Sequence, residues 1–103
     1  MPEFVKYRRT GKYGDEHGIG RVTRFQNNKV YVIWPEHGST VYGLNLGHVE
    51  FVDRQDVHDY TEFLKVKYGF AAVLMVMTLF DIDPATEEGA DAHLSLCEEM
   101  AET

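Results

Sequence analysis

The first half of the chain alternates short apolar stretches with turn-forming residues, a pattern typical of β-strands joined by tight turns. Residues 21–25 and 29–34, on either side of the polar turn at residues 26–28, are predicted to form a β-hairpin. Shorter strands are expected at residues 40–42 and 48–52, because turns containing glycine or proline separate them. This half therefore predicts a small antiparallel β structure.

After residue 53 the apolar spacing changes to that of a helix. The predicted apolar stripe consists of Val57, Tyr60, Leu64, Tyr68 and Ala71. Asp53 is the expected N-cap, and Asp56 in the first turn is favoured by the positive end of the helix. We predict helical character as far as residue 80 with a bend at Gly69. The β-branched valines within residues 70–80 leave a strand open as the alternative for that stretch.

A second helix is predicted to begin at residues 83–84, because proline at the first helical position loses no hydrogen bond that the helix needs. Residues 81–82 would join the two helices as a hairpin. The pattern predicts a single α+β domain over residues 1–103, with a β part at residues 11–53 and a C-terminal helical hairpin at residues 54–101.

The composition indicates which cellular compartment to expect and whether the protein would bind a membrane. The single cysteine, Cys97, cannot form an internal disulfide, and residues 1–10 show no charged start followed by an apolar run, so a cytoplasmic location is expected. The most apolar stretch, residues 70–80, is far shorter than the roughly 20 residues that span a bilayer. We therefore expect no membrane partner and predict a buried or interface segment there.

The charge differs between the two halves of the chain, although the total is −7. Residues 1–34 carry seven bases and three acids, whereas residues 35–103 carry three bases and fourteen acids. Such asymmetry indicates an anion-binding surface on the β part and a repelling or protein-binding surface on the helical part. Ordinary solvated faces are the alternative explanation.

Part of the β region resembles the KOW-type and Tudor-type barrels. The matching features are a glycine-containing turn, Gly18-Ile19-Gly20, that leads into a strand, the polar turn Asn27-Asn28, and the returning strand at residues 30–34. The resemblance covers about residues 11–53. It implies a small SH3-like β-barrel, with five strands if residues 4–8 are also extended.

Members of these barrel families bind nucleic acid, ribosomal or transcription machinery, or modified peptide side chains, and mostly catalyse no reaction. The resemblance therefore implies a docking surface. A methyl-lysine or methyl-arginine reader would need several converging rings. The candidates are Tyr13, Tyr31, Trp34 and Tyr42. The short, acidic, aromatic-rich chain also looks like the small accessory proteins with which bacteriophages redirect host machinery.

The favoured function is a non-enzymatic regulatory or adaptor module that contacts nucleic acid, or a nucleic-acid-processing protein, through a basic barrel edge. Nucleic-acid binding needs cations that neutralise phosphate together with rings or guanidinium planes that stack on bases. The predicted nucleic-acid-binding residues are Arg8, Arg9, Lys12, Tyr13, Arg21 and Arg24. In a regular strand Arg21 and Arg24 would point to opposite faces unless the chain bulges between them.

The rival function is an acidic inhibitor that binds a host protein, with imitation of nucleic acid as one way of doing so. Its acidic face would consist of Asp53, Asp56, Asp59 and Glu62 on the first helix and Glu87, Glu88, Asp91, Glu98 and Glu99 on the second. Under either function the residues predicted for protein interaction on the helical part are the apolar Met75, Met77 and Phe80 and the acidic Glu87, Glu88 and Asp91. Methionine-rich surfaces adapt to irregular partners, which would suit another protein or a second copy in a homodimer. The alternative for the apolar members is that they form the core.

The sequence contains few motifs that are typical of catalysis, metal binding or cofactor binding. The five histidines and Cys97 show no ligand spacing for a metal, and Cys97 falls on an apolar helix face where thiols pack. The glycine-rich residues 11–20 match neither phosphate-binding loop pattern. We predict no enzyme activity, no metal site and no cofactor.

Overall fold

The computed structural model describes residues 3–8, 18–37 and 40–102. These residues form an α+β protein with five strands and three helices. The strands are β1 Phe4–Tyr7, β2 Ile19–Gln26, β3 Lys29–Trp34, β4 Thr40–Asn45 and β5 Val49–Phe51. The helices are α1 Arg54–Tyr68, α2 Ala72–Leu79 and α3 Glu87–Ala101, and 3-10 turns lie at Pro35–His37, Leu46–His48 and Gly69–Ala71.

The five strands make one antiparallel sheet in the order β4-β3-β2-β1-β5, so the last strand returns to lie beside the first. The predicted hairpin and the fifth strand near the N-terminus are confirmed. Asn27 and Asn28 connect β2 to β3 with φ angles of 52° and 63°. Two left-handed residues match the twist of a two-residue hairpin, and asparagine tolerates this conformation well.

A β-bulge bends the sheet. The pairing of β2 with β3 shifts register between Val22 and Arg24, and bulges sharpen the local twist of a strand. Beyond the bulge, the ring of Phe25 on β2 comes within 6.3 Å of the ring of Phe51 on β5, measured between centroids, although these strands are not neighbours. The sheet is therefore strongly curved, but β4 and β5 remain its edges within the described residues and it is not a closed barrel.

Apolar side chains form two clusters, one on each face of the sheet. On the concave face lie Val5, Val30, Val32, Trp34 and Val49. On the other face the helices pack against the sheet through Ile19, Val57, Tyr60, Leu64, Ala72, Val76 and Leu79. Strand alternation explains the division, since Val5 joins the first cluster and the adjacent Phe4 packs against the second.

Local capping sets the limits of α1. Asp53 accepts a hydrogen bond from the backbone N–H of Asp56 at 2.8 Å, and its own N–H donates to the Asp56 carboxylate, which confirms the predicted N-cap. The helix ends at Gly69, whose φ of 59° suits glycine. Residues 72–79 then form α2 and not a strand, so the helical part has three helices where a two-helix hairpin was predicted.

The last helix begins at Glu87 and not at residues 83–84, where a start was predicted. Thr86 is its N-cap, with Oγ1 accepting from the N–H of Gly89 at 3.0 Å and donating to the carbonyl of Asp83 at 2.8 Å. Asp83 instead accepts a hydrogen bond from the N–H of Ala85, so Asp83 and Pro84 belong to a turn. Gly89 is required because a Cβ there would collide with the Asp83 carbonyl.

A pair of glycine substitutions tests the tight packing of the concave face. A Cβ at the buried Gly20 would lie 2.8 Å from the carbonyl oxygen of Ile33 and 2.8 Å from the Trp34 ring. We expect Gly20→Ala to lower the free energy of unfolding by about 1–3 kcal/mol, as overpacking does, in a urea titration. Gly47→Ala is the control, because nothing lies within 4 Å of its added Cβ. Equal urea midpoints for the two variants would contradict this account.

Candidate functional site

Arg8, one of the predicted nucleic-acid-binding residues, is tied to the backbone next to β5. Its Nε donates to the carbonyl of Gly47 at 3.2 Å and its Nη2 to the carbonyl of Val49 at 3.2 Å. The backbone N–H of Arg8 also donates to His48. The guanidinium therefore holds the connection before β5 in place, and fewer of its donors remain for a phosphate.

Arg21 lies between the sheet and the end of α2, with only 14% of its side chain exposed. Its Nε is 3.4 Å from the carbonyl oxygen of Thr78, and its Nη2 is 3.7 Å from Oδ1 of Asp81. A cation at a helix C-terminus is favoured by the helix dipole. The structure thus gives Arg21 an internal contact and does not place it on an open edge.

Arg24 is exposed, as is Arg8, but its guanidinium contacts an aromatic ring and not backbone carbonyls. The bulge in β2 pairs Arg24 with Tyr31, and its guanidinium carbon lies 4.2 Å from the centroid of the Tyr31 ring. The ring in turn lies across Gly43 of β4, where it comes within 3.0 Å of the position of an added Cβ. The remaining predicted nucleic-acid contacts, Arg9, Lys12 and Tyr13, fall outside the described residues.

The candidate aromatics do not converge as a cage where the structure describes them. Trp34 is fully buried in the concave cluster, where its ring stacks on Tyr7 with centroids 5.1 Å apart. Tyr31 lies three residues earlier on the same strand and so points to the opposite face. Tyr13 and the side chain of Tyr42 are not among the groups that the structure describes.

A carboxylate cluster joins the sheet to α1. Glu36, in the 3-10 turn after β3, accepts hydrogen bonds from the hydroxyls of Tyr60 and Tyr68, each at 2.6 Å. The ammonium of Lys67 lies 3.4 Å from the same carboxylate. Because only 6% of the Glu36 side chain is exposed, its charge depends on these three partners for compensation. We call this set the Glu36 cluster.

The Glu36 cluster shifts the pKa values of its partners. Burial, reinforced by the hydrogen bond to Glu36, raises the pKa of Tyr60 well above its ordinary value of 10.0. The hydrogen bond to Glu36 likewise raises the pKa of Tyr68. Hydrogen bonds to Tyr68 and Glu36 raise the pKa of Lys67. The tyrosines therefore stay protonated as donors, which fits a structural contact between layers.

The predicted protein-interaction residues divide between core and surface. Met77 is 2% exposed and belongs to the core, and Met75 packs partly buried against the helical cluster. Phe80 is partly exposed and meets the ring of Phe4 edge to face at 5.7 Å. The acidic members Glu87, Glu88 and Asp91 are all exposed. Phe80 and the three acidic residues are therefore accessible to a partner, whereas Met77 lies in the core.

The outward side of α3 presents carboxylates around one apolar side chain. Glu87, Asp91, Leu94 and Glu98 follow one another at helical spacing and are all exposed, Leu94 at 58%. No lysine or arginine occurs in this helix. We call these four residues the α3 stripe. Its length from Glu87 to Glu98 is about 16 Å at the rise of an α-helix.

The carboxylates of the α3 stripe have no cationic neighbours in the part of the chain that the structure describes. The one α3 carboxylate with an ion pair there is Glu99, which lies 2.6 Å from the Lys65 ammonium. Burial lowers the pKa of Lys65, but hydrogen bonds to Glu99 and Glu62 outweigh burial and the pKa is raised overall. Lys65 is thus saturated by these two acids, and the negative charge of the stripe faces solvent.

A second exposed apolar set lies where α1 turns into α2. Its members are Phe63, Val66, Phe70 and Leu74, exposed by 45%, 89%, 60% and 58%. Phe63 and Val66 are three residues apart, and Phe70 and Leu74 four, so each pair shares a helical face. We call this set the corner patch. Its exposure is not evident from the sequence, because residues packed in a core show the same spacing.

A groove of about 740 Å³ runs between the sheet and the first turns of α1. Its apolar lining comes from Phe4, Phe51, Val52, Val57 and Phe80. Its polar lining comes from Glu3, Asp53, Arg54, His58, Thr61, Glu62 and Lys65. Apolar walls with a mixed-charge rim can accommodate an apolar side chain, but the rim does not select one sign of charge.

The described residues offer little for metal or thiol chemistry. Residues 3–8, 18–37 and 40–102 contain no group of three His, Cys, Asp or Glu side chains placed to hold a metal ion. Cys97 is partly buried, with Sγ 4.0 Å from both ring nitrogens of His93. Over the same ranges, no helix has both the length and the apolar character needed to cross a membrane.

Comparison with family models, with curated proteins and with solved structures finds no match.

An alkaline titration tests the Glu36 cluster. Because the pKa of Tyr60 is higher in the folded protein than in the unfolded chain, its contribution to stability is complete below about pH 10 and is lost as the pH rises further. The raised pKa of Lys65 acts in the same direction. We expect Tyr60→Phe to make the decline of unfolding free energy above about pH 10 shallower, measured by urea titrations at several pH values.

At neutral pH the same variant should be less stable by about 1.5–3 kcal/mol, because it loses a hydrogen bond to a charged group. A decline above about pH 10 as steep as that of the unmodified protein would show that Tyr60 does not titrate as described.

Proposed function

We propose that this chain is a non-enzymatic binding module whose helical part receives a basic, partly apolar segment of another protein. The observation that carries the proposal is the α3 stripe, in which exposed carboxylates without cationic neighbours in the described structure surround an exposed leucine. Complementary charge selects partners and speeds their encounter, while a central apolar contact supplies affinity.

The position of the cations supports a protein partner. Arg8 donates to two backbone carbonyls, and Arg21 contacts a carbonyl and an aspartate. These two cations are therefore less available to a nucleic acid. The acids of the α3 stripe are not engaged in that way within the described residues. A protein that normally binds nucleic acid has the basic surface that such a stripe would fit, and inhibition by imitation of nucleic acid is one form of this function.

The corner patch supports the same proposal. Monomeric proteins seldom expose several large apolar side chains close together, and such groups often mark protein interfaces. Val66 and Phe70 lie on either side of the turn at Gly69, and α3 packs against this turn. An apolar anchor at the corner and charge complementarity along α3 would together accommodate an amphipathic partner.

We further propose that the β part is an SH3-like barrel left open at one side. Its last strand lies beside the first, and the bulge in β2 curves the sheet until Phe25 approaches Phe51. Both features are what closure of a small meander would require. In this view the β part is the scaffold that carries the helical binding surface.

Charge reversal on α3 tests the function. The probe is a helix-forming peptide of lysine and leucine with one apolar face, titrated by calorimetry. We expect Asp91→Lys to weaken binding by about fivefold or more, because a local attraction becomes a repulsion. Asp59→Lys on α1 is the matched control, since it makes the same change in net charge at another exposed helical aspartate. Equal weakening in the two variants would refute a defined site on α3.

Leu94→Ala separates the apolar contribution to peptide binding from the contribution of charge. The control is Ser95→Ala, at the exposed neighbouring residue. We expect the leucine variant to bind more weakly at every salt concentration, because apolar burial is not screened by salt.

A second candidate function is nucleic-acid binding at the sheet. The observation that favours it is the exposed Arg24 guanidinium over the Tyr31 ring, since planar cations and rings are the groups that stack on bases. Arg24 is three residues from Arg21 but faces solvent, so the two arginines have separate roles.

A salt titration with a single-stranded oligonucleotide tests this candidate. We expect affinity to fall steeply with salt, and Arg24→Ala to reduce the slope of log K against log salt by about one unit. Arg54→Ala on α1 should leave the slope unchanged, since that arginine lies on the helical side. Absence of binding at low salt would eliminate the nucleic-acid function without affecting the proposal for α3.

A further inference from the structure

The two edges of the sheet differ in how well they are protected from pairing with another strand. β5 has three residues and includes the charged Glu50. The N–H of Val49 on β5 bonds to the carbonyl of Leu46, and the carbonyl of Val49 accepts from Arg8. Short length, charge and occupied backbone groups all disfavour the addition of a strand at this edge.

The other edge strand, β4, has none of these protections. Its sequence, Thr-Val-Tyr-Gly-Leu-Asn, contains no charge and no proline. It pairs with β3 in unbroken register from Thr40 opposite Trp34 to Asn45 opposite Lys29. Its other side faces no strand among the described residues. A regular, uncharged edge of this length is a template for an additional strand.

The register identifies the backbone groups that are available. The N–H of Leu46 donates to the carbonyl of Asn28, which continues the ladder between β4 and β3. Because bonded positions alternate in an antiparallel pair, residues 40, 42 and 44 bond to β3. The N–H and C=O groups of Val41 and Gly43 therefore point away from β3, toward the open edge.

Side chains beside this edge give it a charge preference. The Tyr31 ring crosses the strand at Gly43, where there is no side chain to block it, and Arg24 stacks on that ring. The exposed Lys29 lies opposite Asn45, the last residue of β4. No described residue forms an ion pair with Arg24 or Lys29. Two cations thus lie near the β4 edge: Lys29 on the adjacent β3, and Arg24, which reaches from β2 over the Tyr31 ring. The free backbone groups of this edge can pair with an extended chain.

We propose that β4 binds an extended segment of a partner protein as a sixth strand, and that this segment places an acidic residue opposite Gly43, within reach of Arg24. Charge complementarity selects this occupant over a second copy of the chain. A second copy that paired through its own β4 would offer no acid there, because this strand contains no charged residue. The site is separate from the α3 stripe, so the two proposals can fail independently.

The test uses a short blocked peptide of alternating threonine and valine with one central glutamate, and a second peptide with lysine in its place. Binding is followed by NMR through amide hydrogen exchange. We expect the glutamate peptide to slow exchange at Val41 and Gly43 by about tenfold or more at saturation, and the lysine peptide to bind more weakly. Arg24→Ala should reduce the preference for glutamate.

Val41→Pro is the decisive variant, because it removes an outward N–H while leaving every bond between β4 and β3 in place. Val41→Thr, which keeps that N–H, is the control. We expect the proline variant to lose peptide binding and the threonine variant to retain it. Unchanged exchange at Val41 and Gly43 would overturn the proposal. Equal binding of the two peptides, or a dimer of the unmodified chain that Val41→Pro abolishes, would overturn the assigned occupant.

Discussion

The buried carboxylate of Glu36 constrains how the two layers of the protein meet. A carboxylate removed from water needs donors nearby, and Glu36 obtains them from Tyr60, Tyr68 and Lys67, all on α1. The turn after β3 and the helix after β5 must therefore lie against each other. Gly18 belongs to the same constraint, because a Cβ there would collide with the Glu36 carboxylate and the Tyr60 ring.

The position of the helices on the sheet determines which charged side chains form hydrogen bonds or ion pairs inside the protein. Where α2 ends on the sheet, Arg21 turns inward to the Thr78 carbonyl and Asp81. Near α3, Lys65 binds Glu62 and Glu99. The carboxylates further along α3 and the cation at Arg24 lie beyond these contacts. The packing of the layers thus leaves two charged sides uncovered among the described residues, an acidic one on the last helix and a basic one beside β4.

Features that depend on neighbouring residues could be predicted from the sequence, whereas features that depend on distant ones could not. The Asp53 cap follows from side chains a few residues apart and was predicted. At Gly69 a bend in a helix that continues to residue 80 was predicted, but α1 ends there. The start of α3 was misplaced because Pro84 and Thr86 both satisfy local rules, and only the contact of Gly89 with the Asp83 carbonyl selects Thr86.

The candidate sites also depend on contacts between residues that are distant in the sequence, and these contacts could not be predicted. A bulge between Val22 and Arg24 was required for the two arginines of β2 to share a face, but the sequence does not reveal whether it forms or what Arg21 then meets. Glu36 gave no local signal, since its tyrosine partners lie 24 and 32 residues away. The acidic residues of α3 are exposed, and local spacing is sufficient to place them away from most of the apolar positions of the helix.

The two apolar clusters lie on opposite faces of the sheet, with β1 and β2 between them, and this gives each its own spectroscopic reporter. Trp34, the single tryptophan of the chain, sits in the concave cluster and reports the sheet through its fluorescence. The helices, packed on the other face, dominate the far-ultraviolet circular dichroism. Since structural layers can open separately, coincidence of the two signals during unfolding measures how strongly contacts across the layers, Glu36 among them, make the protein a single cooperative unit.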